Sequence, residues 1–328
     1  MKLVTFLNDD AQERAGVLID NDQKILNLRS SNEFNGRDTN PAFLSVLALI
    51  EGGEAALDDA RRELDAPHPE ALVEAVSVAL CSPVPRPPQI RDCLCFEEHL
   101  TQAYEVLRKV KAAGEPDPEA ALAQYEEQGF YRIPEVWYQQ PIYYKANRLS
   151  VIGTGHDITW PPYSDILDFE LEFGFFIGKG GRDIPNDQAL EHIFGYSIFN
   201  DISARDTQAV EMLGGLGPAK GKDFDTGNII GPCITTADEI NPYNLTMIAR
   251  VNGEEWSRGS SSTMHWKFED LISYVSKSET LYPGEFFGSG TVGGGCGLEL
   301  ERYLAQGDVI ELEVEGIGIL RNRIIKHD

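Results

Sequence analysis

Three acidic residues in the middle of the chain have the types and spacing best suited to chemistry. Glu170 and Glu172 lie two residues apart in a segment rich in aromatic and β-branched residues, and Asp201 ends a second apolar segment. Because successive side chains of a strand alternate between faces, Glu170 and Glu172 are predicted to point the same way. Three converging carboxylates repel one another unless a cation neutralises them. An all-oxygen site of this kind favours Mg²⁺ or Ca²⁺ over zinc.

The spacing of two glutamates does not establish such a site by itself. The same spacing occurs at Glu311 and Glu313, where apolar residues alternate with the glutamates as on a strand with one wet face. Around Glu170 and Glu172 the neighbouring residues are apolar in both registers, which predicts buried carboxylates. A buried carboxylate needs a partner or an ion. The residues alone therefore leave open a metal site and a structural ion pair.

The composition limits the classes of protein. A chain of 328 residues with 42% hydrophobic residues can bury one large core or two smaller ones. The net charge of −25 argues against nucleic acid or an anionic membrane as a partner and predicts a solvated acidic surface. Five cysteines without a paired framework, and the lack of a secretory or membrane-length apolar segment, predict a reduced cytoplasmic protein.

The proline-rich segment 83–88 predicts an extended linker between two domains. We expect a small α+β domain over residues 1–85 and a β-rich catalytic domain over residues 86–328. Two helices are predicted after the linker, over 97–113 and 119–128, and the remainder is predicted to be rich in strands. A further short helix after Asp201 would put Arg205 and Gln208 on one face, three residues apart.

Several motifs in a fixed order resemble the fumarylacetoacetate hydrolase superfamily, in its hydrolase-like branch, across residues 90–328. The matching segments are Arg91–His99, Asp168–Glu172, Asn200–Gln208, Gly221–Thr226 and Gly288–Thr291. The resemblance implies an α+β chain, with a small N-terminal domain and a C-terminal domain built as a β-rich mixed roll or sandwich. It also implies a homodimer.

The resemblance implies a role for each candidate site residue. The metal ligands, for Mg²⁺ or else Ca²⁺ or Mn²⁺, would be Asp92, Glu170, Glu172 and Asp201. His99 would be the general base, oriented by Glu299, which is predicted to share a strand face with Glu301. The groups that hold the substrate carbonyl and its oxyanion would be Lys222, Arg205 and Gln208. The residues that line the substrate site would be Tyr144, Thr226 and Thr291.

The activity implied is metal-dependent hydrolysis of a carbon–carbon bond in a 1,3-dicarbonyl, acylpyruvate or fumarylacetoacetate-like substrate. A second hypothesis is a decarboxylase, hydratase or tautomerase that acts on a 2-oxo acid. A third is a protein without catalysis in which Ca²⁺ staples a β-roll, and it predicts no base beside the ion. Two departures bear on the substrate: Leu94 stands where the hydrolases have a tyrosine, and residues 110–138 resemble an insertion.

Overall fold

The computed structural model describes residues 1–327, and its strands fall mostly where apolar and β-branched residues concentrate. The strands are β1 (Lys2–Leu7), β2 (Glu13–Ile19), β3 (Lys24–Asn27), β4 (Leu72–Glu74), β5 (Ile90–Cys93), β6 (Tyr143–Ala146), β7 (Val151–Ile152), β8 (Asp157–Thr159), β9 (Leu167–Asp168), β10 (Leu171–Ile177), β11 (Ile193–Asp201), β12 (Ser203–Ala204), β13 (Asn228–Thr236), β14 (Thr246–Val251), β15 (Glu254–Ser260), β16 (Phe286–Gly288), β17 (Val309–Val314) and β18 (Gly318–Ile325).

The helices confirm the two predicted after the linker and the one predicted after Asp201. The α-helices are α1 (Leu28–Phe34), α2 (Val46–Asp65), α3 (Glu97–Ala112), α4 (Pro118–Glu127), α5 (Glu135–Gln139), α6 (Arg205–Met212), α7 (Phe268–Val275) and α8 (Gly297–Leu300). Short 3₁₀ helices cover Pro41–Leu44, Pro69–Ala71, Ala75–Ser77, Asn186–His192, Ala237–Glu239 and Ser261–Thr263. Within residues 1–327, no helix is both long and apolar enough to cross a bilayer.

The largest sheet brings distant parts of the chain together. Its strands run in the order β4-β3-β2-β1-β13-β11-β10-β16-β5-β6, and β7 pairs with β13. The N-terminal strands extend this sheet, because β1 pairs antiparallel with β13. The division of the chain between residues 85 and 86 stays a prediction. The mixed α+β class is confirmed.

A second sheet of five strands, mostly from the C-terminal part of the chain, has the order β15-β14-β17-β18-β8. Along β17 buried and partly exposed residues alternate, so Glu311 and Glu313 lie on its wetter face. The interpretation of this segment as an ordinary strand with one wet face is confirmed. Its glutamates therefore serve as a natural contrast to Glu170 and Glu172.

Strand β10 is buried along its whole length. On one face the ring of Phe175 stacks on Phe287 with centroids 5.0 Å apart, and Phe173 packs edge-on against Phe268 at 5.1 Å. On the other face Phe176 packs against Phe286 at 4.9 Å. Aromatic packing on both faces, as the sequence predicts, fixes the strand that carries Glu172.

The excess of acidic residues gives a prediction about salt. With a net charge of −25, surface carboxylates repel one another in the folded chain more than in the expanded unfolded chain. Added NaCl screens this repulsion, so we expect the melting temperature to hold or rise with salt. Scanning calorimetry in NaCl and in KCl separates screening from effects of a particular ion. A melting temperature that falls steadily in both salts would contradict the prediction.

Candidate active site

Three buried carboxylates meet at one point of the largest sheet. Asp92 lies on β5, Glu172 on β10 and Asp201 at the end of β11, and one oxygen from each lies within 4.8 Å of the others. Asp92 is 6% exposed, and Glu172 and Asp201 are fully buried. We call these three residues the carboxylate cluster. The strand order β11-β10-β16-β5 brings them together, although Asp92 lies far from the other two in the sequence.

Gly288 on β16 makes room for the carboxylate cluster. It pairs with Asp92 on one neighbouring strand and with Gly174 on the other. A Cβ added to Gly288 would lie 2.6 Å from Oδ1 of Asp92 and 3.1 Å from Oε2 of Glu172. Any side chain here would displace the carboxylates. The glycine therefore permits the close packing of carboxylates from two neighbouring strands.

The electrostatics of the carboxylate cluster suit a cation. Burial, followed by repulsion from neighbouring carboxylates, raises the pKa of Asp92 and of Glu172 well above the ordinary range. Burial also raises the pKa of Asp201, although the charge of Lys222 opposes this shift. Oδ1 of Asp92 and Oδ1 of Asp201 are buried without a hydrogen-bond partner. Unpaired oxygens in an all-carboxylate set fit Mg²⁺, Mn²⁺ or Ca²⁺.

Glu170 lies beside this cluster and is paired with cations of the chain. Its Oε2 lies 2.6 Å from Nζ of Lys222, and its Oε1 lies 2.7 Å from Nη1 of Arg205. Burial favours the neutral form of Glu170, but the charges of Lys222 and Arg205 outweigh it and lower its pKa to about 2. Lys222 also lies 2.6 Å from Oδ2 of Asp201 and so joins Glu170 to the cluster. The role of Glu170 as a metal ligand stays a prediction.

The first turn of α6 carries the two polar residues that the sequence placed on one face. Nη1 of Arg205 donates to Oε1 of Gln208 at 3.0 Å, which confirms the predicted i,i+3 relation. Burial disfavours the charge on Arg205, but the carboxylates of Asp168 and Glu170 outweigh burial and raise the pKa further.

Two of the three candidate substrate residues contact the carboxylate cluster. The hydroxyl of Tyr144 donates to Oδ2 of Asp201 at 2.7 Å, and Oγ1 of Thr291 donates to Oε1 of Glu172 at 3.4 Å. Thr226 differs, because its Oγ1 accepts from the backbone N–H of Thr159 at 3.0 Å. That hydroxyl is used to hold a turn.

His99 and Glu299 are brought together from α3 and α8. Nδ1 of His99 lies 3.3 Å from Oε2 of Glu299, and it has no hydrogen bond in this arrangement. Glu299 is fixed by three donors: its Oε1 accepts from the backbone of Gly294 at 3.0 Å, and its Oε2 accepts from the backbone and Sγ of Cys296, each at 3.1 Å. The imidazole therefore faces a carboxylate whose orientation is set by the backbone.

The prediction that Glu299 and Glu301 share a strand face is wrong. The glycine-rich segment leads into the short helix α8, and the carboxylate of Glu299 accepts from the backbone N–H of Cys296, the N-cap residue of this helix. Glu301 follows this helix at a φ of 51°, and its carboxylate lies 3.3 Å from Nζ of Lys109 at the surface. Only Glu299 lies near His99.

Residues 110–138 pack beside the segment that joins Asp92 to His99. Nε1 of Trp137 donates to the backbone carbonyl of Leu94 at 2.8 Å, and the hydroxyl of Tyr138 donates to Oε1 of Glu97 at 2.6 Å. The end of this segment is thus hydrogen-bonded to the residues between Asp92 and His99. The insertion and the effect of Leu94 on the substrate stay predictions.

Asp168 is a buried residue that sequence reasoning missed. It lies two residues before Glu170, in the same apolar segment, and it pairs with Arg205 through Nε at 2.8 Å. The Asp-x-Glu-x-Glu spacing was visible in the sequence, since alternation puts all three acids on one face.

Comparison with known proteins decides the family. Residues 94–325 match the family described as fumarylacetoacetate (FAA) hydrolase C-terminal. The chain belongs to this family. The resemblance noted in the sequence is thereby confirmed for the FAA hydrolase family.

Curated relatives of this FAA hydrolase family member include oxaloacetate tautomerases. The human mitochondrial oxaloacetate tautomerase FAHD2A is 31% identical over 283 residues, which cover 86% of this chain and 80% of that protein. The mitochondrial oxaloacetate tautomerase fahd2 of Xenopus laevis is 28% identical over 336 residues, covering 99% and 90%.

Solved structures confirm the FAA hydrolase fold. A fumarylacetoacetate hydrolase from psychrophilic Exiguobacterium antarcticum is 25% identical with a TM-score of 0.73, and all of both chains is covered. A maleylpyruvate hydrolase from Sphingobium sp. SYK-6, solved with manganese(II) and pyruvate, is 20% identical with a TM-score of 0.70, again over all of both chains. At that identity the likeness concerns the fold alone.

Proposed function

We propose that this chain is a metal-dependent enzyme that interconverts the keto and enol forms of a small 2-oxo acid of the oxaloacetate type. The observation that carries the proposal is the buried imidazole of His99, whose Nδ1 lies 3.3 Å from Glu299, within electrostatic reach of Glu170. A tautomerase needs one base that moves a proton between carbon and oxygen. The name of the human relative, which matches most of the chain, supports this reaction over the others.

Asp92, Glu172 and Asp201 would hold the metal, and Glu170 joins them if the resemblance extends to all four ligands. The metal would supply a Lewis acid that polarises the substrate's carbonyl and makes the adjacent C–H more acidic. The all-oxygen donor set and its unpaired oxygens support Mg²⁺ or Mn²⁺, with Ca²⁺ as the alternative.

A chain with a net charge of −25 repels an anionic substrate, so the binding site needs local positive charge. Lys222 and Arg205 put two buried positive charges beside the carboxylate cluster. In our proposal they bind the substrate carboxylate and its carbonyl oxygen, and Gln208 and Tyr144 add uncharged donors. Thr291 lines the same space, while Thr226 supports the fold around it.

His99 performs the proton transfer in this proposal. Its imidazole removes a proton from the carbon next to the carbonyl, the electron pair of the C–H bond forms the C=C bond of the enol, and the π pair of the carbonyl moves onto the oxygen. The imidazolium then delivers the same proton to that oxygen, so the substrate is rearranged without net gain or loss. Glu299 stabilises the imidazolium while it holds the proton, because its carboxylate lies 3.3 Å away.

Hydrolysis of a carbon–carbon bond in an acylpyruvate or other 1,3-dicarbonyl is the second candidate. The pair of His99 and Glu299 also fits this reaction, because water activation needs an oriented base. His99 would take a proton from water, the hydroxide would attack the carbonyl, and the oxyanion would be held by Lys222, Arg205 and Gln208. The bond to the neighbouring carbon would then break, and that carbon would take the proton.

Turnover separates these functions. The purified chain should accelerate the loss of enol-oxaloacetate absorbance in Mg²⁺ or Mn²⁺, and treatment with EDTA should abolish the effect. A panel of acylpyruvates in the same assay tests hydrolysis by release of pyruvate. Hydrolysis without tautomerisation would replace the first candidate by the second. Absence of both, with a tightly bound Ca²⁺, would favour the Ca²⁺-stapled β-roll.

A homodimer and a cytoplasmic location stay predictions; the human relative is named as mitochondrial.

Glu170→Gln tests the fourth ligand. If Glu170 is a ligand, the variant should lose Mg²⁺ affinity and activity together, because one of four charges that hold the cation is removed. Calorimetric titration with Mg²⁺ measures this. Unchanged affinity would remove Glu170 from the ligand set and leave it as the ion-pair partner of Lys222 and Arg205.

A further inference from the structure

Asp168 holds the start of the helix that carries Glu299. It is fully buried at the end of β9. Its Oδ1 accepts from the backbone N–H of Gly297 at 2.7 Å, and its Oδ2 accepts from that of Leu298 at 2.9 Å. These are the first two residues of α8, whose amides have no partner within the helix. A carboxylate there satisfies both amides and fixes the direction of the helix.

The same carboxylate also holds Arg205. Oδ2 of Asp168 lies 2.8 Å from Nε and 2.7 Å from Nη2 of the guanidinium. Nε donates to this oxygen, whereas Nη2 makes only the ion pair, and Nη1 contacts Glu170 at 2.7 Å and Gln208 at 3.0 Å. The contacts with Asp168 thus set the orientation of the planar guanidinium.

The backbone around Asp168 is shaped for this contact. A Cβ on Gly297 would clash with Oδ1 of Asp168 and with the carbonyl oxygen of Arg302, so only glycine allows the approach. Asparagine at 168 would replace one accepting oxygen with a donating NH₂ group. That group would face the amides of α8 or the guanidinium of Arg205, all of which also donate.

We propose that Asp168 is a positioning residue that fixes Glu299 and Arg205 from a single carboxylate and so couples the base to the substrate-binding cation. This inference rests on the proposed function, in which His99 depends on Glu299 and the substrate on Arg205. Asp168 reaches the reaction only through these two residues. A change at Asp168 therefore disturbs both halves of the site while the carboxylate cluster stays assembled.

The kinetic test is Asp168→Asn, with Asp270→Asn as the matched control. Asp270 is also an aspartate that accepts from a backbone N–H, that of Lys267 at 3.0 Å, but it caps α7 away from the site. Asp168→Asn should lower kcat by roughly 10–100-fold, as for other residues that orient a site, and leave Mg²⁺ affinity near that of the unmodified chain. Parallel loss of Mg²⁺ binding would overturn the inference, because it would mean a general structural role.

A mutant cycle tests the route of action. In a chain that already carries Arg205→Lys and Glu299→Gln, Asp168→Asn should cost little more, since both residues it positions are already changed. An equal fold loss in that background and in the unmodified chain would overturn the inference.

Hydrogen exchange provides a readout that needs no substrate and no metal. In Asp168→Asn the backbone amides of residues 294–301 should exchange faster, because two of them lose their acceptor. If Asp168→Asn does not fold, Arg205→Lys serves instead: it leaves Asp168 in place but loosens its carboxylate, and the same peptide should again exchange faster. Unchanged exchange in the variant overturns the inference. Faster exchange in the variant, together with no turnover by the unmodified chain, overturns only the proposed function.

Discussion

Replacing His99 by alanine should reduce turnover by roughly 10²–10⁴-fold, the usual cost of removing a general base. The affinity for Mg²⁺ should stay close to that of the unmodified chain, because the imidazole lies against Glu299 and outside the carboxylate cluster. The experiment measures tautomerisation, hydrolysis and Mg²⁺ binding on one preparation of the variant. Both reactions use the same base in the proposal, so both should fall.

His327→Ala is the control, since His327 is exposed near the C-terminus. It should leave both reactions unchanged. Full turnover by His99→Ala would show that the proposed proton transfer is wrong. Loss of Mg²⁺ binding with the imidazole would instead put His99 among the ligands, and the all-oxygen site would have to be redrawn.

Replacing Glu172 by glutamine should remove metal binding and activity together. Glu172 is fully buried in the carboxylate cluster, and its Oε2 accepts from the backbone N–H of Gly290 at 3.0 Å. An amide in its place removes one of the charges that attract the cation. We expect the loss of Mg²⁺ affinity to exceed the roughly 10–100-fold that is typical when a residue that only orients a metal ligand is replaced.

The same change should not lower the thermal stability of the metal-free chain. Burial and repulsion by Asp92 raise the pKa of Glu172 well above its ordinary range, so its charge is unfavourable without a cation. A neutral glutamine avoids that cost, and the melting temperature without metal should hold or rise. In the unmodified chain, Mg²⁺ at 100 times its Kd adds about 2.7 kcal/mol to the free energy of unfolding. In Glu172→Gln this gain should vanish.

Glu313→Gln is the matched control, because Glu313 has the same spacing from its neighbouring glutamate but lies on the wetter face of β17. It should bind Mg²⁺ and melt as the unmodified chain does. If Glu172→Gln binds Mg²⁺ with unchanged affinity, the carboxylate cluster is not the metal site.

The sequence predicted the parts of the site that depend on local pattern. Strand alternation and the apolar neighbours identify Glu172 as a buried carboxylate, and the helix after Asp201 follows from spacing. Asp92 could be found only through the family resemblance, because nothing local indicates that β5 lies beside β16 in the sheet. Chain topology, which no local pattern records, decides that contact.

Other parts escaped the sequence for separate physical reasons. Glu299 was expected on a strand, but a run of glycines adopts turns as easily as extended backbone, and here it leads into α8. The role of Glu170 as a metal ligand stays a prediction, but its pairing with Lys222 and Arg205 could not be predicted, because these cations lie 52 and 35 residues further along the chain. Long-range ion pairs of this kind leave no periodic signal.

The strand order of the largest sheet has a consequence for how the protein folds. Between the strands of Asp92 and Glu172 lies β16, which is made much later than either during synthesis, so an N-terminal fragment that ends before residue 286 lacks the strand that joins them. A cation therefore has nothing to bind until long-range pairing is nearly complete. We expect Mg²⁺ to slow unfolding while it leaves the rate of refolding almost unchanged. The ion would stabilise only the completed fold, and its effect in the cell would be a longer lifetime of the native protein.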